Sequence, residues 1–248
     1  WFLLSNDIVR YNNGLNSVPL RKFTPIDMDL FWGICSKMKR KGTKEEIFTF
    51  KQIKELIDYN INARGDRFAN DLIKMSKKII TLSFIYEDEK TYEQLNLFQK
   101  FKIDKVNETL LIKVSEEFEY ILNSIGTNFT RFELENMTNL KSSYVKELYR
   151  QLMAHKDRRS KKGHWFVKIE DFRALLAIPE SYRMRDIDKQ IFAQAKKEFL
   201  NVNSTHPAIF KTFEIKKIKA YKGNKIGSLQ IYFEENIPSI TLDNWLEK

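Results

Sequence analysis

One stretch of this chain is written twice, 119 residues apart. The first copy reads Ile47-Phe48-Thr49-Phe50-Lys51-Gln52-Ile53-Lys54-Glu55-Leu56-Ile57. The second reads Trp165-Phe166-Val167-Lys168-Ile169-Glu170-Asp171-Phe172-Arg173-Ala174-Leu175-Leu176. In each, a short apolar strand runs straight into a segment whose apolar residues recur at helical spacing. These are Ile53, Leu56 and Ile57, then Phe172, Leu175 and Leu176. The same offset matches Arg64 to Arg183, Phe68 to Ile187, Leu72 to Ile191 and Lys77-Lys78 to Lys196-Lys197. A pattern used twice reads as a module, here a small one whose second helix is basic.

The elements around the two copies fall in matching order. Thr24-Pro25 predicts a helix start, and Ile26, Leu30, Phe31, Ile34 and Met38 carry that helix towards Gly42. The strand at 47–50, a helix at 51–58, a turn at Asn60–Gly65 and a helix at 66–79 follow. From 79 to 114 the apolar period drops to two, which predicts an antiparallel meander. Residues 1–20 read as irregular, broken by Asn12-Asn13-Gly14 and Pro19. A boundary is expected between Asn123 and Asn128. It divides the chain into residues 1–125 and 126–248. In the second part Val145, Leu148, Tyr149, Leu152 and Met153 mark a helix. The strand at 165–169 and helices at 170–177 and 184–200 come next. Two period-two runs, Phe210–Ile218 and Ile226–Phe233, close the part around a hairpin loop at Lys219–Lys225.

Helix, strand, helix, turn, helix, hairpin is the order of a winged helix, a helix-turn-helix with a β-wing. The expected fold is α+β, two tandem winged-helix domains related by the repeat. The helix 184–200 is the one expected to enter a major groove.

The charge supports a polyanionic partner. The net charge is +10. Residues 1–125 hold 20 basic and 18 acidic side chains, whereas 156–225 hold 18 and 8. A field so concentrated favours nucleic acid, although a lysine-rich surface also serves solubility. The single cysteine, Cys35, sits in an apolar helical pattern, reads as packing and suits a reducing cytoplasm. No apolar run is long enough to span a membrane, and Trp1-Phe2-Leu3-Leu4 is too short for a signal peptide and has no basic leader before it.

Several segments together resemble a known family. They are Phe129-Thr130-Arg131-Phe132-Glu133-Leu134-Glu135, Asn139-Leu140-Lys141-Ser142-Ser143-Tyr144 and Leu148-Tyr149-Arg150-Gln151-Leu152. Phe172-Arg173-Ala174-Leu175-Leu176 with Pro179–Asp188, Ile215–Lys219 with Lys222–Ile226, and Ser17-Val18-Pro19-Leu20-Arg21-Lys22-Phe23 extend the likeness over residues 6–235. The family is the replication initiator (Rep) proteins of theta-replicating, iteron-containing bacterial plasmids. The resemblance implies monomers that bind double-stranded origin iterons and promote opening there. It implies homodimers, made mainly through the first domain, in equilibrium with those monomers. The implied partners are the host replication initiator and helicase machinery, in the cytoplasm, with no cofactor and no membrane.

The candidate DNA contacts follow from the module. At the start of the helix 184–200, Arg183 or Arg185 is expected to fork onto guanine, unless one of them pairs with Asp186 or Asp188. Lys189 accompanies them, with Ser181 and Tyr182 as phosphate contacts. Lys196 and Lys197, late in the helix, either touch the backbone or stay solvated. In the hairpin, strand alternation puts Lys217 and Lys219 on one face and Lys216 on the other. Lys219, Lys222 and Lys225 are favoured. In the first domain Arg64, Arg67, Lys74, Lys77 and Lys78 occupy the matching helix, where backbone clamping is expected.

The chain is expected not to be an enzyme. A rolling-circle initiator needs a close pair of metal-binding histidines, and His155, His164 and His206 are far apart in sequence. No glycine-rich phosphate loop ending in Lys-Ser or Lys-Thr occurs. The remaining rivals are a winged-helix transcriptional repressor without initiator activity and a partner-binding module that does not touch DNA.

Overall fold

The computed structural model describes residues 7–18, 20, 22–60, 65–80, 82–87, 89–123, 129–200, 207–221 and 223–236. They form two compact units. One runs up to Ala154 and takes in Glu170–Arg183. The other holds His155–Ile169 and resumes at Met184.

The first unit begins with β1 (Ile8–Asn12), a 3-10 turn (Asn13–Ser17) and α1 (Pro25–Met38). β2 (Glu46–Thr49), α2 (Phe50–Leu56) and α3 (Gly65–Ile79) follow. Then come β3 (Ser83–Glu87), β4 (Tyr92–Asn96), β5 (Phe98–Asp104) and β6 (Thr109–Val114). α4 (Glu116–Asn123), β7 (Phe129–Glu133), α5 (Leu134–Asn139) and α6 (Ser143–Ala154) complete the order up to Ala154. The starts of α1 and α2 are chemically capped. Thr24 Oγ1 accepts the Asp27 N–H at 3.3 Å while the Asp27 carboxylate accepts the Thr24 N–H at 2.7 Å, with Pro25 in the first turn. Thr49 and Gln52 repeat the exchange at 3.2 and 2.8 Å for α2.

The remaining elements are β8 (Lys162–Lys168), α7 (Ile169–Leu175), α8 (Met184–Ile187), a π-helical turn (Asp188–Phe192), α9 (Ala193–Leu200), β9 (Phe210–Lys219) and β10 (Ile226–Glu235). The repeat is plain in their topology. The sheets run β2-β6-β5 and β8-β10-β9, so each copy's entry strand pairs with the second strand of its own hairpin. α2 opens at Phe50 and α7 at Ile169, which preserves the sequence offset. Matched positions share burial: Ile53 with Phe172, Ile57 with Leu176, Phe68 with Ile187 and Leu72 with Ile191 are all buried. The chain is therefore two tandem winged helices.

Three expectations need correction. Residues 1–20 are not wholly irregular, because β1 pairs with β7 in full antiparallel register from Ile8↔Glu133 to Asn12↔Phe129. Its partner lies far away in sequence, so local pattern carried no sign of it. The run 79–114 is not one meander. Among the described residues β3 pairs only with β4, while β5 and β6 join β2. Nor does the chain part at 125/126. β7, α5 and α6 belong with the first unit, and α6 is built into it by buried polar groups. The expected boundary, Asn123–Asn128, overlaps residues 124–128, which lie outside the described residues.

That tie is electrostatic. Lys146, fully buried, donates to Asp29 of α1 at 2.5 Å and to the Met137 carbonyl at 2.5 Å. Arg150, also fully buried, donates to the Leu15 carbonyl at 2.8 Å, to the Val18 carbonyl at 3.0 Å and to Glu147. Gln151 donates to the Asn16 carbonyl at 2.9 Å. α6 thereby satisfies carbonyls at and just after the 3-10 turn near the start of the chain. Around this, Tyr11 stacks on Trp32 at 5.0 Å and Trp32 meets Phe132 edge-on at 5.6 Å. The second unit's core is aromatic too, with Phe199 at 4.8 Å from Phe210 and 5.0 Å from Phe213. Gly163 must be glycine there, since a Cβ would sit 2.0 Å from the Phe233 ring.

Lys146→Ala strands a buried carboxylate and is expected to lower unfolding free energy by about 3–5 kcal/mol. Lys51→Ala, which removes an exposed pair with Glu55, changes it by less than about 1 kcal/mol. Denaturant titration separates the two. Burial pushes the Asp29 carboxyl from 3.8 up to about 6, against the pull of Lys146. The native state then keeps a proton that the unfolded chain has released, so this group's contribution to stability falls as pH rises from 3.8 to about 6. Asp29→Asn is expected to flatten that part of the stability–pH curve.

Candidate nucleic-acid interface

α8, the π turn and α9 run consecutively from Met184 to Leu200, as expected for the second helix of the second copy. The buried side is Ile187, Ile191, Phe192, Ala195 and Phe199. The charged residues that are exposed are all cations, while Asp186, Asp188 and Glu198 are half-buried. Arg185, Lys189, Lys196 and Lys197 are all exposed and form no ion pair among the described residues. The π turn is closed by the Ala193 N–H on the Asp188 carbonyl. It inserts one residue and lets Ile191 and Phe192 both face inward.

Just upstream, Ser181 and Arg183 are exposed and Tyr182 is half-buried, its ring 6.3 Å from that of Tyr144. The loop is set by Arg173, which donates to the Pro179 carbonyl at 3.3 Å and to the Tyr182 carbonyl. Polar groups at 181–183 are thus carried on a fixed turn.

The hairpin β9–β10 supplies the second basic element. Its loop closes through the Ala220 N–H on the Lys225 carbonyl at 2.8 Å, with Gly223 at φ +87°, a conformation that favours glycine. Lys225 is exposed, and Lys219 donates to Asn224 Oδ1 at 3.3 Å. Lys222 lies outside the described residues. Lys216 and Lys217 face opposite ways, as alternation requires. Lys216 stands opposite Gln230 with its Nζ 5.3 Å from the Tyr232 ring centre, while Lys217 opposes buried Leu229. A register shift beyond Ile218 changes the frame for Lys219. Lys217 is already engaged, its Nζ 2.5 Å from Asp188. Asp188, one of the two acids expected to compete for Arg183 or Arg185, here holds the hairpin to the helix.

The first unit presents the same pair of elements with fewer cations to spare. On α3, Arg67 is exposed, Lys74 lies 3.6 Å from Asp71, and Lys77 is exposed with no ion pair among the described residues. Arg64 lies outside the described residues. Lys78 is tied to the buried carboxylate of Asp27, the residue that caps α1, and so anchors α3 to α1. The hairpin β5–β6 was missed as a basic element. Lys102 and Lys105 are exposed around a turn that Asp104 fixes by accepting the Val106 and Asn107 N–H groups at 3.0 Å each. Those turn bonds hold the Asp104 carboxyl below the usual range. The repeat itself could have found these lysines, because they occupy the wing position of the first copy.

Of the remaining residues of chemical interest, Cys35 is buried and His155 and His164 are exposed. Burial pushes the Cys35 thiol up. His155 stacks on Trp165 at 5.3 Å and His164 on Tyr232 at 4.6 Å. His206 lies outside the described residues. Among the described residues no helix is long and apolar enough to cross a membrane.

Comparison with known proteins agrees with this architecture. A curated relative, "Probable replication protein rep" of Bifidobacterium longum (strain NCC 2705), is 32% identical over 178 residues, which is 72% of this chain. The matched region spans 59% of that protein's length. Among solved structures, the Pi initiator protein in complex with iteron DNA shares the fold at a TM-score of 0.72. That match has 15% identity and covers 95% of this chain and 100% of the other. Domains 2 and 3 of RctB match at a TM-score of 0.50 with 8% identity, covering 87% of this chain and 84% of theirs. Residues 8–153 match the family described as "Initiator Replication protein, WH1" and residues 168–233 that described as "Initiator Rep protein, WH2". This chain belongs to the initiator replication protein family.

Proposed function

We propose that this protein is a plasmid replication initiator that binds double-stranded DNA in a sequence-specific way, at directly repeated origin iterons. One observation carries the reading. The solvent side of the consecutive segment Met184–Leu200 exposes four cations, Arg185, Lys189, Lys196 and Lys197, and no exposed acid, opposite a buried apolar side. A helix of this kind fits a major groove, and the basic hairpin beside it in the second unit fits the backbone. The solved Pi initiator, which has this fold, is in complex with iteron DNA. In this reading Arg183, Arg185 and Lys189 reach base edges. Ser181, Tyr182, Lys196, Lys197, Lys219, Lys222 and Lys225 meet phosphates. Arg64, Arg67, Lys74 and Lys77 clamp backbone from the first domain, with Lys78 in support.

Family membership supports the finer parts of the proposal. The protein acts in the cytoplasm without catalysis of its own, opens the origin, and recruits the host initiator and helicase machinery. The first domain makes the homodimer and the second reads the iteron.

Binding to the plasmid's own origin is expected to fall steeply with salt. Arg185→Ala is expected to cost about 1–3 kcal/mol and to relax sequence preference, whereas Lys77→Ala weakens all sequences alike and reduces the salt slope by about 1. Footprinting at several salt concentrations tests both. Protection of tandem repeats with strand opening supports an initiator. A single protected operator with no opening makes it a repressor, and no salt-dependent binding removes DNA from the account. Asp188→Asn releases Lys217 to the duplex, and the salt slope is expected to steepen by about 1.

A further inference from the structure

The first unit carries a second basic surface, away from α3 and the β5–β6 hairpin in sequence and in element. β1 and β7 make an antiparallel ribbon whose inner face is Val9, Tyr11, Thr130 and Phe132, none more than 2% exposed. On its outer face Arg10 and Arg131 are register partners. Like charges placed directly across a strand pair destabilise it. The Arg10 guanidinium is held on the Phe129 ring, 3.9 Å from its centre, and Arg131 is exposed.

The end of α1 adds to this ground. Lys39 Nζ donates to the Ile8 carbonyl of β1 at 3.0 Å, and the backbone of exposed Arg40 is fixed by Asn123 Oδ1 at 2.7 Å. Partial burial first, and then Arg40, lowers the proton affinity of Lys39. Arg131 and Arg10 act in the same direction, while Asp7 opposes them. Positive potential therefore converges on one place. Two acids share it. Asp7 is bonded to Lys37 at 3.0 Å, and Glu133 lies on the outer face two residues beyond Arg131. A helix C-terminus explains lysines at 37 and 39. It does not explain two arginines set opposite each other on a ribbon.

We propose that Arg10, Arg131, Lys39 and Arg40 form an additional phosphate contact of the first unit, whose ligand is the backbone of duplex DNA. The proposal rests on the DNA-binding reading above. Phosphate oxygens relieve the repulsion between the two guanidinium groups and accept their forked hydrogen bonds. The contact is blind to sequence, and it adds affinity once the basic helices have brought DNA close.

The test uses the full chain and a long random-sequence duplex, with affinity measured across a salt series and unfolding midpoints measured in parallel. Arg131→Glu is expected to weaken binding about tenfold at moderate salt and to reduce the salt slope by about 1–2. Its unfolding midpoint is expected to stay level or rise, because an acid now faces Arg10. Arg131→Lys is expected to keep the wild-type slope. Wild-type slope and affinity in Arg131→Glu overturn the proposal and leave the DNA-binding reading intact. Weaker binding with a lowered midpoint, not restored by Arg131→Lys, makes the residue structural and also overturns it. Absence of salt-dependent binding in the wild-type chain fails the DNA-binding reading itself, and the contact falls with it.

Discussion

Each winged helix depends on one constraint, the burial of a helix's apolar side beneath a three-stranded sheet. Ile187, Ile191, Phe192 and Phe199 have no other place to go, and Phe68, Leu72 and Met75 repeat the demand in α3. A fully buried side chain of this size is worth about 1.5–3 kcal/mol, so these positions outweigh any single surface ion pair. Burying one side fixes the rotation of the helix. The cations between the apolar positions are then turned outward together. Basic faces here are a geometric consequence of core packing and need no further device to orient them.

A second kind of interaction ties α6 into the first unit. Lys146, Glu147, Arg150 and Gln151 lie within one turn and a half of α6, and all are buried. In sequence they read as polar positions of an ordinary surface helix. In the structure they satisfy Asp29 and the carbonyls of the 3-10 turn, so a helix that looked like the opening of the second copy belongs to the first unit. Buried charge of this sort makes register specific more than it adds stability. Burial raises the Asp29 carboxyl to about 6 even with Lys146 beside it.

Much of the fold was legible because the informative contacts are local. The apolar spacing of Ile53, Leu56 and Ile57 and its echo at Phe172, Leu175 and Leu176 predicted α2 and α7, and Thr24-Pro25 marked the start of α1. The order of elements gave the winged helix, and the quoted segments gave the family. The illegible parts are those fixed by distant partners. β1 exists because β7, more than a hundred residues on, pairs with it. The division of 79–114 into two sheets depends on β2 taking β6 as its neighbour. Composition could not say which lysines are already occupied. Lys78 and Lys217 read as surface cations, and both hold carboxylates.

The repeat also shows why the two halves read so differently by charge. α3 spends Lys78 on Asp27 and sets Lys74 beside Asp71, whereas the second copy leaves Arg185, Lys189, Lys196 and Lys197 outward. The same scaffold thus yields a modestly basic face and a strongly basic one. The account's central claim is that those outward faces meet a duplex. Lysine acetylation mapped by mass spectrometry, with and without origin DNA, addresses it directly. The account predicts that Lys189, Lys196 and Lys197 lose reactivity on DNA binding while Lys51, on α2, keeps it. Unchanged reactivity at 189, 196 and 197 in a complex that demonstrably forms would contradict it.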